Sequence, residues 1–117
     1  MSETALGNKI RRMVSPMGAR LFRNQVGQYQ ILDKYGKVRR IQYGLGTGSP
    51  DYVGWKTVEI MPDMVGQKVA VFVGLELKIG KNKPNNAQKN WLRVIEKAGG
   101  IAGVAYSEQD ALDILGE

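Results

Sequence analysis

The 117 residues include no cysteine and no histidine, which excludes disulfides, zinc fingers, thiol nucleophiles and imidazole bases together. One compact domain over residues 1–117 is expected at this length, and any metal would be a hard cation on oxygen ligands, such as magnesium or manganese. The formal charge of +6 is uneven: residues 1–40 hold nine Lys or Arg against two acids, and residues 97–117 hold one Lys against four. That surplus suits a polyanionic partner, although solubility alone also makes small proteins basic.

In chain order, residues 3–14 read as a helix with Ile10, Met13 and Val14 as a weak apolar stripe, ended by Ser15-Pro16 and Gly18. Leu21 opens an extended segment toward Val26. Two strands follow near Tyr29–Leu32 and Lys37–Tyr43, joined by a turn at Asp33-Lys34-Tyr35-Gly36. Gly44 to Pro50 is a loop without the closing Gly-Lys-Ser/Thr of a phosphate-binding loop. Strands are expected at Asp51–Glu59 and Lys68–Ile79. On the second, Val69, Val71, Val73, Leu75, Leu77 and Ile79 form the expected core face, with Glu76 and Lys78 on the other. Asn85 caps a second helix with Gln88 at its third position, and Ala87, Trp91, Val94, Ile95 and Ala98 are its expected buried side. Gly99-Gly100 ends that helix. A strand at Ile101–Tyr106 and a last helix capped by Ser107 complete the chain, and the strand–helix–strand spacing allows parallel pairing. No run of about 18 apolar residues is present, so no membrane span is expected. Glu3 near the N-terminus and the lack of an apolar block argue against a secretion signal, and a cytoplasmic location is expected.

If 51–59 and 68–79 formed an antiparallel hairpin, Glu59 would face Lys68, Trp55 would face Phe72 and Asp51 would face Glu76. Two opposed carboxylates repel unless a divalent cation lies between them. Lys78 shares the face of Glu76, where it can stabilise charge on a phosphate or orient a water. The Leu77 carbonyl is a further candidate ligand. Each residue also has an ordinary reading: Asp51 as a turn aspartate, Glu76 and Lys78 as a solvated strand face, Gln88 as half of a capping box. Trp91 reads as core. Tyr43 and Tyr52 suit packing or substrate contact equally.

Pro50-Asp51 followed by Glu76-Leu77-Lys78 resembles the proline-aspartate…glutamate-x-lysine motif of a superfamily of metal-dependent nucleases. The segments Leu21–Gly27, Gly48–Gly54, Phe72–Lys78, Gln88–Leu92 and Ala98–Ala105 resemble the virus-type replication-repair nuclease (VRR-NUC) domain, over nearly the whole chain. The resemblance implies an α/β fold: a mixed α+β sheet flanked by helices, with a restriction-endonuclease-like core in the order α-β-β-β-β-α-β-α. It implies a Mg2+- or Mn2+-dependent endodeoxyribonuclease in which Asp51 and Glu76 hold the metal, Lys78 is catalytic and Gln88 lies at the site. Glu3 is the candidate for a first-helix glutamate near the metal. Arg20, Arg23, Asn24, Arg39, Arg40, Ser49, Lys81 and Lys83 are candidate DNA contacts. Stand-alone members, in phages and bacteria, imply a homodimer acting on branched DNA such as four-way (Holliday) junctions. The alternative is a basic DNA-binding module without catalysis.

Overall fold

The computed structural model describes residues 2–116 and has a mixed α/β architecture with helices flanking the strands. By contact density the chain divides into two units, the first ending at Lys56 and the second beginning at Thr57.

The first unit opens with α1 (Glu3–Val14), capped by the Ser2 hydroxyl accepting the Ala5 N–H at 3.0 Å, with Arg11 and Arg12 in its last turn. Both features match the backbone partial charges at a helix's ends. Ser15–Met17 tightens into a short 3-10 turn closed by Gly18. β1 (Ala19–Arg23) pairs antiparallel with β4 (Tyr52–Lys56). Between them, β2 (Gly27–Leu32) and β3 (Val38–Tyr43) form a separate antiparallel hairpin. Phe22 and Trp55 pack as a tilted ring pair 5.3 Å apart.

In the second unit, residues 57–72 carry a single 3-10 turn at Pro62–Met64 and no strand. β5 (Val73–Leu77) then pairs in parallel with β6 (Ile101–Ala105) through the crossover helix α2 (Asn86–Lys97). α3 (Glu108–Ile114) follows, with the Ser107 hydroxyl accepting the Asp110 N–H. Pairing therefore comes as three two-stranded sheets, two antiparallel and one parallel.

Three sequence expectations are corrected here. The long hairpin of 51–59 with 68–79 does not form: β4 takes β1 as its partner, Trp55 lies opposite Arg20, and β5 takes β6. A strand extends only as far as a neighbour runs beside it, and β6 begins after Gly100, so the ladder starts where the Ile101 N–H reaches the Phe72 carbonyl at 2.9 Å. The expected core face of β5 is its open face. Val73, Leu75 and Leu77 are exposed while Gly74 and Glu76 are half-buried, because α2 lies over the latter side. Gly74 has no side chain, and the Ile95 tip occupies the space a Cβ would need. α3 covers the other side only at β6, where Ile114 packs on Gly103. Finally, the inward stripe of α2 is Gln88, Leu92 and Ile95 rather than one through Ala87 and Trp91, both of which are exposed. Ile95, at 5% exposure, and Ala105, at 2%, are the buried core of this unit.

Candidate active site

Period two on β5 puts Glu76 and Lys78 on one side, as the sequence predicts, and their charged groups lie 3.7 Å apart. Gln88 joins them from the first turn of α2. Its Nε2 donates to the Glu76 carboxylate at 2.9 Å, while its Oε1 accepts the Asn85 N–H at 2.9 Å. The Asn85 side chain accepts the Gln88 N–H at 2.8 Å, completing a capping box worth about 1 kcal/mol. Gln88 therefore completes the cap and meets Glu76 at once. The cap occupies the amide oxygen, so the amide nitrogen is the end that meets Glu76.

Side chains of Glu76 and Lys78 are 29% and 21% exposed. At that exposure the ion pair contributes little stability. It does hold the carboxylate and the ammonium beside one another at a surface that solvent and a ligand can reach. Glu76, Gln88, Gly74 and Trp91 line a shallow depression of about 210 Å³. Trp91, read from sequence as core, is 49% exposed at its rim.

The Leu77 carbonyl is positioned by the ladder. The Lys78 N–H donates to the Ala105 carbonyl at 3.1 Å, and Leu77 is the residue in register with Ala105. In a parallel ladder this directs the Leu77 N–H and carbonyl away from β6, toward the opposite edge of β5. Beyond Leu77, Tyr106 Oη donates to the Asn82 carbonyl at 2.7 Å and fixes the loop that carries Lys81 and Lys83, both exposed.

In the first unit, Asp51 is exposed at the start of β4 and lines one cavity of about 370 Å³ together with Glu3, Arg23 and Tyr52. A glycine brings the two acids to it. Gly7, buried on α1, sits where any Cβ would run into the Tyr52 ring, so the helix seats directly against β4. Glu3 lies four residues before Gly7, on the same face of α1. Tyr52 is thus a packing residue here. Arg23 reaches α1, its guanidinium donating to Thr4 Oγ1 at 3.4 Å.

Asn24 and Ser49 are engaged inside the protein. Asn24 Nδ2 donates to Ser49 Oγ at 2.7 Å and to the Pro50 carbonyl at 2.8 Å, and its Oδ1 accepts the Leu45 N–H at 3.0 Å. The Asn24 N–H donates to the Asp51 carbonyl at 2.7 Å. One side chain therefore ties down both ends of the glycine loop, in which Gly44, Gly46 and Gly48 all have positive φ. The loop delivers the chain to Asp51 in a fixed direction. Arg20 lines a cleft with Arg11, Arg12 and Asn8, while Arg39 and Arg40 lie on the β2–β3 hairpin, both exposed.

No family model, curated protein or solved structure matches the chain. Among the described residues no group of three or more His, Cys, Asp or Glu side chains is gathered as a metal cluster. No helix among them is long and apolar enough to cross a membrane.

Proposed function

We propose that the chain is a metal-dependent endonuclease that hydrolyses phosphodiester bonds in DNA, with Glu76, Lys78 and Gln88 at its chemical centre. The observation that carries this reading is the single-sided trio: a partly exposed carboxylate flanked by a lysine at 3.7 Å and an amide donor at 2.9 Å. A solvated strand face gives no reason for a helix-capping glutamine to spend its second polar atom on that carboxylate. The resemblance of Pro50-Asp51…Glu76-Leu77-Lys78 and its flanking segments to the VRR-NUC domain, within the proline-aspartate…glutamate-x-lysine nucleases, supports the same conclusion.

The expected donors, carboxylates and a backbone carbonyl with no sulfur or imidazole, are of the chemical kind a hard divalent cation takes. The resemblance alone makes Asp51, Glu76 and the Leu77 carbonyl the proposed Mg2+ or Mn2+ ligands; Asp51 lines a cavity of the first unit with Glu3, and Glu76 and Leu77 belong to β5 of the second. When bound, the ion would polarise the phosphate and acidify a water. Lys78, 3.7 Å from the Glu76 carboxylate, would stabilise charge on a phosphate bound there. Gln88 fixes the rotamer of the Glu76 carboxylate through its amide. Lys81 and Lys83, on the loop after β5, and Arg20 and Arg23, in the first unit, are the proposed phosphate contacts.

The stand-alone form of the family is the basis for proposing a homodimer and a preference for branched duplexes such as four-way junctions. The exposed apolar row Val73, Leu75, Leu77 and Ile79 supports self-association. The test is incubation of the protein with end-labelled linear, flap and four-way-junction DNA in Mg2+, Mn2+ or chelator. Cleavage that needs the metal is the expected result, with junctions cut most readily. Absence of cleavage on all three would leave the rival reading, a basic DNA-binding module.

A further inference from the structure

The β2–β3 hairpin is built differently from the rest of the first unit. Its two strands pack extensively on one another, and among the described residues neither packs more than slightly on any other helix or strand. An isolated two-stranded ribbon is marginal in water, so a surface of this kind gains by being covered. Its turn is firmly made: the Asp33 N–H donates to the Lys37 carbonyl at 2.9 Å, and Asp33 Oδ1 accepts the N–H groups of Tyr35 and Lys37. Asp33 is the only acid between Gly27 and Tyr43, against Lys34, Lys37, Arg39 and Arg40. Its carboxylate is already used in the turn, so the ribbon presents cations and no free anion.

Register separates the two faces. Gly27 opposite Tyr43, Tyr29 opposite Ile41 and Ile31 opposite Arg39 make one, with the Tyr29 and Tyr43 rings 6.2 Å apart. The other carries Gln28 opposite Gln42, Gln30 opposite Arg40 and Leu32 opposite Val38, every one of them exposed. On that second face, three side-chain amides and a guanidinium stand together with two apolar side chains toward the tip. These are the groups that read base edges: glutamine pairs bidentately with adenine, arginine with guanine, and apolar side chains meet the thymine methyl. Spacing agrees. Residues two apart on a strand are separated by about 7 Å, which is about two base-pair steps at about 3.4 Å each.

We propose that the β2–β3 ribbon enters the major groove of duplex DNA with the Gln28, Gln30, Arg40 and Gln42 face toward the bases. The groove is about 12 Å wide and admits a two-stranded ribbon, whereas the A-form RNA major groove is too deep and narrow for side chains to read. Lys34 and Lys37 at the turn, and Arg39 on the opposite face, are available to the phosphate walls. The inference rests on the chain acting on DNA, and it names the element that holds the duplex.

The test is fluorescence anisotropy of the full chain with a labelled DNA duplex and an RNA duplex of equal length, in chelator so that nothing is cut. Wild type is expected to bind the DNA duplex more tightly. The triple variant Gln28→Ala, Gln30→Ala, Gln42→Ala is expected to lose about tenfold or more in DNA affinity, with its salt dependence unchanged because no charge is removed. Arg40→Gln is expected to lower both the affinity and the salt slope. Circular dichroism checks the fold, and all four side chains are exposed, so their loss leaves the strands paired. Wild-type DNA binding by the folded triple variant overturns the proposal. So does a fall in its solution mass from dimer to monomer, which would give this face to a second copy. Cleavage kept alongside unchanged binding would remove the ribbon and spare the nuclease reading. Groove-dependent binding without metal-dependent cleavage would do the reverse.

Discussion

The unit ending at Lys56 carries ten Lys or Arg against three acids, and the unit beginning at Thr57 carries seven against eight. The first spends its sequence on cations and on an exposed hairpin. The second places a carboxylate, a lysine and a glutamine side by side under a helix. On the proposed reading, the contrast sets a cation-rich unit suited to a polyanion, which also carries Asp51 and Glu3, beside a unit that carries the Glu76 trio. The net charge comes from the first unit, and the +6 of the whole chain conceals a nearly neutral half. Charge alone therefore says little about where a site would lie.

The sharpest way to break the first unit is Gly54→Ala. A Cβ on Gly54 would enter the Arg20 carbonyl, which is backbone and cannot rotate away. A loss of 3 kcal/mol or more is expected, at about the upper end of overpacking effects, read by urea unfolding and by lost amide protection in β1 and β4. Gly7→Ala is next, at about 1–3 kcal/mol, because it meets a ring that can shift at a cost. Its second expected effect is on cleavage, since it moves Glu3 relative to Asp51. Gly74→Ala in the second unit is the mild counterpart: the obstacle is the Ile95 tip, which can change rotamer, and about 1 kcal/mol or less is expected. Equal losses at all three would contradict the packing described.

Two substitutions sharpen the comparison at the level of function. Gln88→Glu keeps the capping box, because glutamate serves at that position as well as glutamine, but it replaces the donor to Glu76 with a second carboxylate. Cleavage is expected to fall about 10–100-fold, the usual cost of losing a group that orients a ligand, with an unchanged unfolding midpoint. Unchanged cleavage by the folded variant would make Gln88 a capping residue only. Asn24→Ala has the smaller expected effect on cleavage of the two. It removes three side-chain hydrogen bonds to the glycine loop and is expected to cost about 1–3 kcal/mol, with faster proteolysis at residues 44–50 and a modest drop in cleavage through Asp51. Unchanged proteolysis would contradict the clamp.

What was legible in the sequence divides along the range of the interaction. The span of α1, the turn at Asp33–Gly36, the Asn85–Gln88 cap, the Ser107 cap and the parallel β5–β6 pair were all readable, because residues a few positions apart decide them. Period two likewise joined Glu76 to Lys78, whereas the cap offset placed Gln88 only on the helix, and the family resemblance alone brought it to Glu76. The partner of β4 was not readable. Glu59 with Lys68 and Trp55 with Phe72 made a plausible hairpin, but pairing belongs to whichever strand arrives, and that is β1. The alternation on β5 was right, while its covered face was reversed. Apolar content suggested the valine–leucine side, yet Gly74 and the arrival of Ile95 from α2 decide the matter. Bringing Glu3 to Asp51 depends on Gly7 seated against Tyr52, which no local pattern contains. The one available signal was a glycine inside a helical run, which usually has a packing reason.

The central claim is that Glu76 anchors metal-dependent phosphodiester hydrolysis, and Glu76→Gln tests it most directly. The substitution keeps the shape and removes the charge at a half-exposed position, so the variant is expected to unfold at the wild-type midpoint. Cleavage rates of labelled duplex and junction DNA are measured across a Mn2+ titration for both proteins. The account predicts that the variant shows no cleavage above the chelator control at any Mn2+ concentration while binding DNA like wild type. Cleavage by the folded variant at the wild-type rate would contradict it.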